Sequence, residues 1–172
     1  MSANVKKEIF EWIKSFAVAL IVVALIRTFV FTMIRVEGNS MMETLQDGDR
    51  VASTIIDMKL NGPKRFDIVI TTYPGETKYV VKRVIGLPGE TVEIKQGVTH
   101  VNGKPIEEAY VTHPTPNDQF PALTLSEDEY FVMGDNRFVS KDSRMVGPVT
   151  RDVIKAKVRL RLWPMNAMGV VE

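Results

Sequence analysis

Two side chains in this sequence could do nucleophilic chemistry together without help from histidine. Ser40 lies in Gly38-Asn39-Ser40-Met41-Met42-Glu43-Thr44-Leu45, and Lys82 interrupts the apolar run Tyr79-Val80-Val81-Lys82-Arg83-Val84-Ile85-Gly86. A serine hydroxyl attacks a carbonyl when a neighbouring base takes its proton, and that base is most often histidine. The chain has two histidines, His100 and His113, and neither lies in a dense polar stretch. A lysine set among valines can serve instead, because desolvation lowers its pKa and leaves a neutral amine able to accept a proton. A third stretch, Gly134-Asp135-Asn136-Arg137-Phe138-Val139-Ser140-Lys141-Asp142-Ser143-Arg144, holds groups that could balance charge around such an amine. Each stretch also has a plain structural reading. Ser40-x-x-Glu43 spells a helix capping box, a strand lysine ordinarily faces solvent, and loops rich in Asp, Asn and Ser are usually turns.

Composition narrows the chemistry further. Cysteine is absent, which excludes disulfides, thiolate zinc sites and a cysteine nucleophile. With two histidines, no metal site is expected, and no cofactor motif is present. The 22 Lys+Arg balance 21 Asp+Glu, so there is no basic excess of the kind nucleic-acid binding requires. At 172 residues, 45% of them apolar, the chain suffices for one compact domain.

Those residues need elements to position them. Phe16 to Ile34 is a 19-residue, largely apolar run with one charge, Arg27. As a helix it would span roughly 30 Å, one hydrocarbon core. Arg27 is expected to snorkel toward the far interface. Residues 1–15 carry Lys6, Lys7 and Lys14, and the positive-inside bias places this tail in the cytoplasm and residues 35–172 outside. The exterior part reads as mostly β. Val153–Trp163 alternates, with Ile154, Ala156, Val158, Leu160 and Leu162 on one face and Lys155, Lys157, Arg159 and Arg161 on the other. The basic row, beside Trp163, Met165 and Met168, suits contact with an anionic bilayer surface. Further strands are expected at Arg50–Ile56, Asp67–Thr72, Tyr79–Ile85, Thr91–Ile94 and Tyr130–Met133. Asn102-Gly103 marks a hairpin within Val98–Ile106, His113–Pro121 reads as a Pro-rich loop, and no sustained amphipathic helix follows the anchor.

In their order along the chain, the three stretches resemble the motifs of the type I signal peptidases, membrane-anchored serine endopeptidases of bacteria. The Ser40 stretch is similar to that family's G-x-S-M-x-P-T-L, residues 82–89 to K-R-x-x-G-x-P-G, and residues 134–144 to G-D-N-R-x-x-S-x-D-S-R. The single span and short chain look like the small Gram-positive-type members. The resemblance implies a mainly β fold: one N-terminal transmembrane helix, then a compact β-sheet, barrel-like Ser–Lys peptidase domain in the bacterial cell membrane. It implies Ser40 as nucleophile and Lys82 as general base. Ser140 would hydrogen-bond the Lys82 amine, and an Asp142–Arg144 ion pair near Arg83 would support it. The Ser40 N–H would stabilise the oxyanion, while Gly38 stands where some members add a serine hydroxyl.

Two further departures are Glu43 in place of a usual Pro and Phe66 in place of a usual Gly. Glu43 is expected to cap Ser40, at an electrostatic cost if it points inward. The implied partners are secretory preproteins, cut after Ala-x-Ala-like sites, and the phospholipid bilayer. Ile34, Val36, Met41, Leu45, Val80 and Val81 are the candidate apolar lining of a shallow groove that receives an extended peptide. The same dyad and fold also resemble the self-cleaving repressors of the bacterial DNA-damage response, which are soluble. A catalytically inactive tethered binding protein of the same fold is the alternative from another class.

Overall fold

A computed structural model describes residues 3–29, 31–113 and 115–171, with side chains at 8–24, 31–113 and 115–171. The first element is a 27-residue helix, α1 (Ala3–Phe29), and it is followed at once by a strand, β1 (Phe31–Arg35). The helix therefore stops short of the sequence-based boundary. Phe31 to Ile34 pair with β2 (Arg50–Thr54), Phe31 opposite Thr54 and Ile34 opposite Val51, so sheet pairing claims the last residues of the apolar run. Aromatic and β-branched residues suit that exchange. From Ile9 to Val23 the large apolar side chains of α1 are exposed. Among the described residues no helix is long and apolar enough to cross a membrane. The side chains of residues 25–29, Arg27 included, and those of Lys6 and Lys7 lie outside the described ones.

The remaining strands are β3 (Ile68–Thr71), β4 (Val80–Gly86), β5 (Thr91–Lys95), β6 (Val98–Val101), β7 (Lys104–Pro105), β8 (Phe120–Thr124), β9 (Glu129–Met133), β10 (Val149–Thr150), β11 (Ala156–Trp163) and β12 (Gly169–Val170). One sheet runs β1-β2-β11-β3-β4-β9-β10 with β12 on β11, and a smaller one runs β7-β6-β5-β8. The mainly β expectation is met. Strand β4, the bearer of Lys82 and Arg83, lies inside the large sheet between β3 and β9, and from Val81 to Gly86 it is wholly buried. One core packs Val36, Met41, Leu45, Val51, Ile70, Val81 and Val158, and a second packs Val69, Val84, Val132 and Ile154. A third, with Ile85, Val92, Leu125 and Phe131, joins the two sheets. The sheets close tightly over Gly86, where an added Cβ would lie 2.5 Å from Val92 Cγ2 and 2.8 Å from Leu125 Cδ1.

The Asn102-Gly103 hairpin forms as expected, with both residues at positive φ (52° and 76°). Two expectations fail locally. Phe120 and Pro121 open strand β8 rather than closing a loop, since Phe120 pairs with Ile94 at the edge of the small sheet. A Pro is tolerated at such an edge. Ile55 and Ile56 leave the expected strand and begin a short helix, α2 (Ile55–Asn61).

The alternation in β11 also breaks. Bulges between Val158 and Leu160, and between Arg161 and Trp163, shift the register against β2, so Leu160 is exposed while Ala156 and Val158 are buried. Nor is the basic row a free cationic face. Lys157 pairs with Asp67, Arg159 with Asp57 and Arg161 with Asp49, and Lys155 donates to the Asp152 carbonyl.

Candidate active site

A half-buried serine–lysine contact stands at the centre of the site. Residues after β1 turn back through Ser40–Leu45, and Lys82 reaches them from the inside of β4. Lys82 Nζ is 2.6 Å from Ser40 Oγ and 3.1 Å from the Val81 carbonyl oxygen. Lys82 is 3% exposed. Burial pulls its pKa down from 10.5 to about 8, against the opposing pull of the Asp142 and Asp135 carboxylates. A strand lysine has therefore turned inward, where its amine loses much of its reason to stay charged. Ser40 is held by its backbone: its carbonyl accepts from Asn136 N–H at 3.1 Å. Among the described residues its own N–H donates to no acceptor.

The 134–144 loop is fixed by charge. Arg83, 2% exposed, donates to both carboxylate oxygens of Asp135 at 2.9 and 2.8 Å, and to the Phe66 carbonyl at 3.0 Å. Its guanidinium lies 3.9 Å from the centre of the Tyr110 ring. Thr44, from the Ser40 turn, donates to Asp135 at 2.5 Å, so the turn and the loop share one carboxylate. Asp142 accepts from Gly134 N–H at 3.1 Å and pairs with Arg144, which also pairs with Asp118. The implied Asp142–Arg144 pair is present, while the counter-ion of Arg83 is Asp135.

The expected Ser140–Lys82 hydrogen bond is not formed. Ser140 is 5% exposed, and its Oγ has no partner among the described residues, while the Lys82 amine contacts Ser40 and the Val81 carbonyl. Glu43 does not cap Ser40 either. Residues 40–44 form a turn rather than a helix and Glu43 is exposed, so the inward charge does not arise. Gly38, at φ 83°, offers no hydroxyl, and its N–H is taken by Asp47 at 2.7 Å.

A groove of about 670 Å³ runs along Ser40 and Lys82. Ile34, Val36, Met41, Val80 and Val81 line it. Leu45 does not; it is fully buried in the core beneath. Exposed Glu37–Lys78 and Lys141–Glu76 ion pairs sit along the rim.

Sequence reasoning passed over Tyr73 and named Phe66 and Gly134 without a structural role. Tyr73 enters the groove wall and donates its hydroxyl to the Lys141 carbonyl; burial pushes its pKa up. Phe66 stands at φ 69°, the left-handed region that glycine favours, which gives the noted departure from a usual Gly its structural meaning. Gly134 lets the loop touch the serine turn. An added Cβ would fall well inside contact distance of the Ser140 hydroxyl and the Ser40 carbonyl oxygen, and 2.6 Å from Ser140 Cβ. Gly134→Ala is therefore expected to cost about 1–3 kcal/mol by overpacking, read as a fall of several degrees in Tm. An unchanged Tm would mean that the backbone yields freely there.

Among the described residues no group of acidic or histidine side chains could hold a metal ion. A family model described as "Signal peptidase, peptidase S26" matches residues 9–163. Signal peptidase IB of Staphylococcus aureus (strain COL) is 38% identical over 178 residues, 94% of this chain and 93% of the relative. Signal peptidase I of Bacillus licheniformis is 35% identical over 175 residues, 96% of this chain and 94% of the relative. A crystal structure of a signal peptidase I from Enterococcus faecalis V583, 34% identical, covers 55% of this chain and 95% of that one at a TM-score of 0.49. With a family match over most of its length and relatives this similar from end to end, the chain belongs to the signal peptidase S26 family and is a peptidase.

Proposed function

We propose that this peptidase removes signal peptides from exported preproteins by a Ser40–Lys82 dyad. The observation that carries the reading is the 2.6 Å contact between Ser40 Oγ and a buried amine whose pKa lies near 8. Neutral Lys82 takes the Ser40 proton as Oγ bonds to the scissile carbonyl carbon. The carbonyl oxygen becomes an oxyanion facing the Ser40 N–H. When the carbon–nitrogen bond breaks, the Lys82 ammonium returns the proton to the leaving amine. Water, deprotonated by the same amine, then releases the acyl group from Ser40. Arg83–Asp135 and Asp142–Arg144 hold the loop against which the dyad packs.

The walls at Val36, Met41 and Val81 leave shallow apolar room beside Ser40, which suits small residues and so an Ala-x-Ala-like site. Helix α1 anchors the chain in the bilayer, with residues 1–15 cytoplasmic and the β domain outside. The exposed apolar side chains from Phe16 to Val23 support that anchor. The cross-strand row Met33, Ala52, Leu160 and Val170 supports a bilayer-facing patch, since Met33, Leu160 and Val170 are exposed in one row across the sheet.

The test is cleavage of a purified preprotein by the detergent-solubilised chain, with sequencing of the new N-terminus. A single cut after Ala-x-Ala is expected from the wild type, and none from Ser40→Ala over the same period. Cutting by Ser40→Ala at the wild-type rate would remove Ser40 from the mechanism.

A further inference from the structure

A second cavity, of about 790 Å³, opens beside the Ser40–Lys82 groove and shares Ile34 and Tyr79 with it as walls. The chemistry described above leaves it unused. The surface it presents is mainly apolar. Thr32 and Ile34 come from the inward face of β1, Ile55 from α2, Ile70 from β3, and Ile154 from the approach to β11. The charged residues around it are of both signs: Lys59, Arg151 and Lys155 against Asp128 and Asp152. Lys155 already donates to the Asp152 carbonyl. The cavity therefore favours an apolar occupant over an ionic one.

The geometry of an extended chain says which residue arrives there. Strand β1 is the edge of the large sheet, with β2 on one side of it alone, so a peptide can lie along its other side. Alternate side chains of such a peptide face the protein, about 6.6 Å apart. If the first and third residues before the cut occupy the Ser40 groove, the next one on the same face is the fifth. Its side chain passes Ile34 and Tyr79 and meets the second cavity.

We propose that this cavity is an aliphatic subsite for the fifth residue before the scissile bond. The assignment rests on the preprotein reading of the Ser40 groove. The chemistry of the substrate agrees, because that residue adjoins the apolar h-region of a signal peptide. Burying a leucine side chain instead of presenting none should raise kcat/KM by about tenfold or more.

The experiment uses the full chain in detergent and Ala-x-Ala peptides that differ only in the fifth residue before the cut: Gly, Leu, Phe or Lys. In the wild type the Leu peptide should exceed Gly and Lys by about tenfold or more in kcat/KM. Thr32→Phe, which fills the cavity from an edge strand that accepts an aromatic residue, should bring the Leu:Gly ratio to about one. Ile55→Ala, which enlarges the cavity, should raise the Phe:Leu ratio, and it decides the matter if Thr32→Phe does not fold. Equal cleavage of Leu and Gly peptides by the wild type, or ratios unmoved in both variants, would overturn the subsite alone. If the wild type cleaves none of the peptides, the preprotein reading falls and the subsite with it.

Discussion

Lys82→Met should lower peptidase turnover by several orders of magnitude and, near neutral pH, make the folded chain more stable. The first effect follows from chemistry: without an adjacent base, a serine hydroxyl at neutral pH is a poor nucleophile. The second follows from the same burial. The Lys82 amine titrates near 8 in the folded chain against 10.5 for a solvated lysine. Between those values the unfolded chain binds the extra proton, so stability rises with pH from about 8 to about 10.5. Below pH 8 the folded state carries a buried ammonium that costs roughly 3 kcal/mol relative to a solvated one. Methionine removes that cost at pH 7 and gains nothing above pH 10.5. Denaturant unfolding of both proteins at pH 7 and pH 10.5 reads the sign, and kcat for a preprotein peptide reads the chemistry. Wild-type turnover should rise through about pH 8 as the amine loses its proton. Near-normal cleavage by Lys82→Met would take Lys82 out of the mechanism. A variant less stable at pH 7 would mean that the amine is not strained by burial.

Ser40 and Lys82 could be singled out locally, one hydroxyl just past an apolar run and one amine inside a β-branched strand. Each also had a plain structural reading, and the resemblance of the three stretches to one family's motifs decided between the readings. Their partnership was not legible from spacing, since 42 residues separate them and the β3–β4 pairing brings Lys82 under the serine turn. The strands rich in β-branched or aromatic residues, β3, β4, β5 and β9, were found for the same local reason. What was missed depends on long-range company. Phe31–Ile34 reads as helix until β2 offers hydrogen bonds to it, and Phe120-Pro121 reads as loop until β5 lies alongside. The face that Leu160 occupies was decided by a bulge that no alternation pattern encodes. The capping box failed because the Ser40 turn is drawn into the 134–144 loop, through Asn136 and through Thr44 to Asp135, before any helix can propagate.

That shared carboxylate gives the other large expected effect. Asp135→Asn leaves the Arg83 guanidinium buried, 2% exposed, without its counter-ion. Breaking such a pair from one side costs about 3–5 kcal/mol, because the charge left behind has lost both solvent and partner. Neutral contacts such as those to the Phe66 carbonyl, the Thr44 hydroxyl and the Tyr110 ring do not neutralise it. A chain of this length should then lose roughly 10 °C in Tm.

Replacing both partners with apolar residues, as in Arg83→Met/Asp135→Leu, should recover most of that loss, since no orphaned charge remains. A purely steric role for the two side chains would not give this recovery. Asp135 also acts on the dyad. Its carboxylate is one of two that raise the Lys82 pKa against burial, Asp142 being the larger. With that charge gone, the amine should lose its proton at lower pH, and the rising limb of the kcat–pH profile in Asp135→Asn should move to the acid side of wild type. Thermal unfolding and the pH profile thus read two consequences of one substitution. An unchanged Tm would show that Arg83 finds another acceptor. A limb that stays in place, in a folded variant, would show that the Asp135 charge is spent on Arg83 and Thr44 and does not reach the amine.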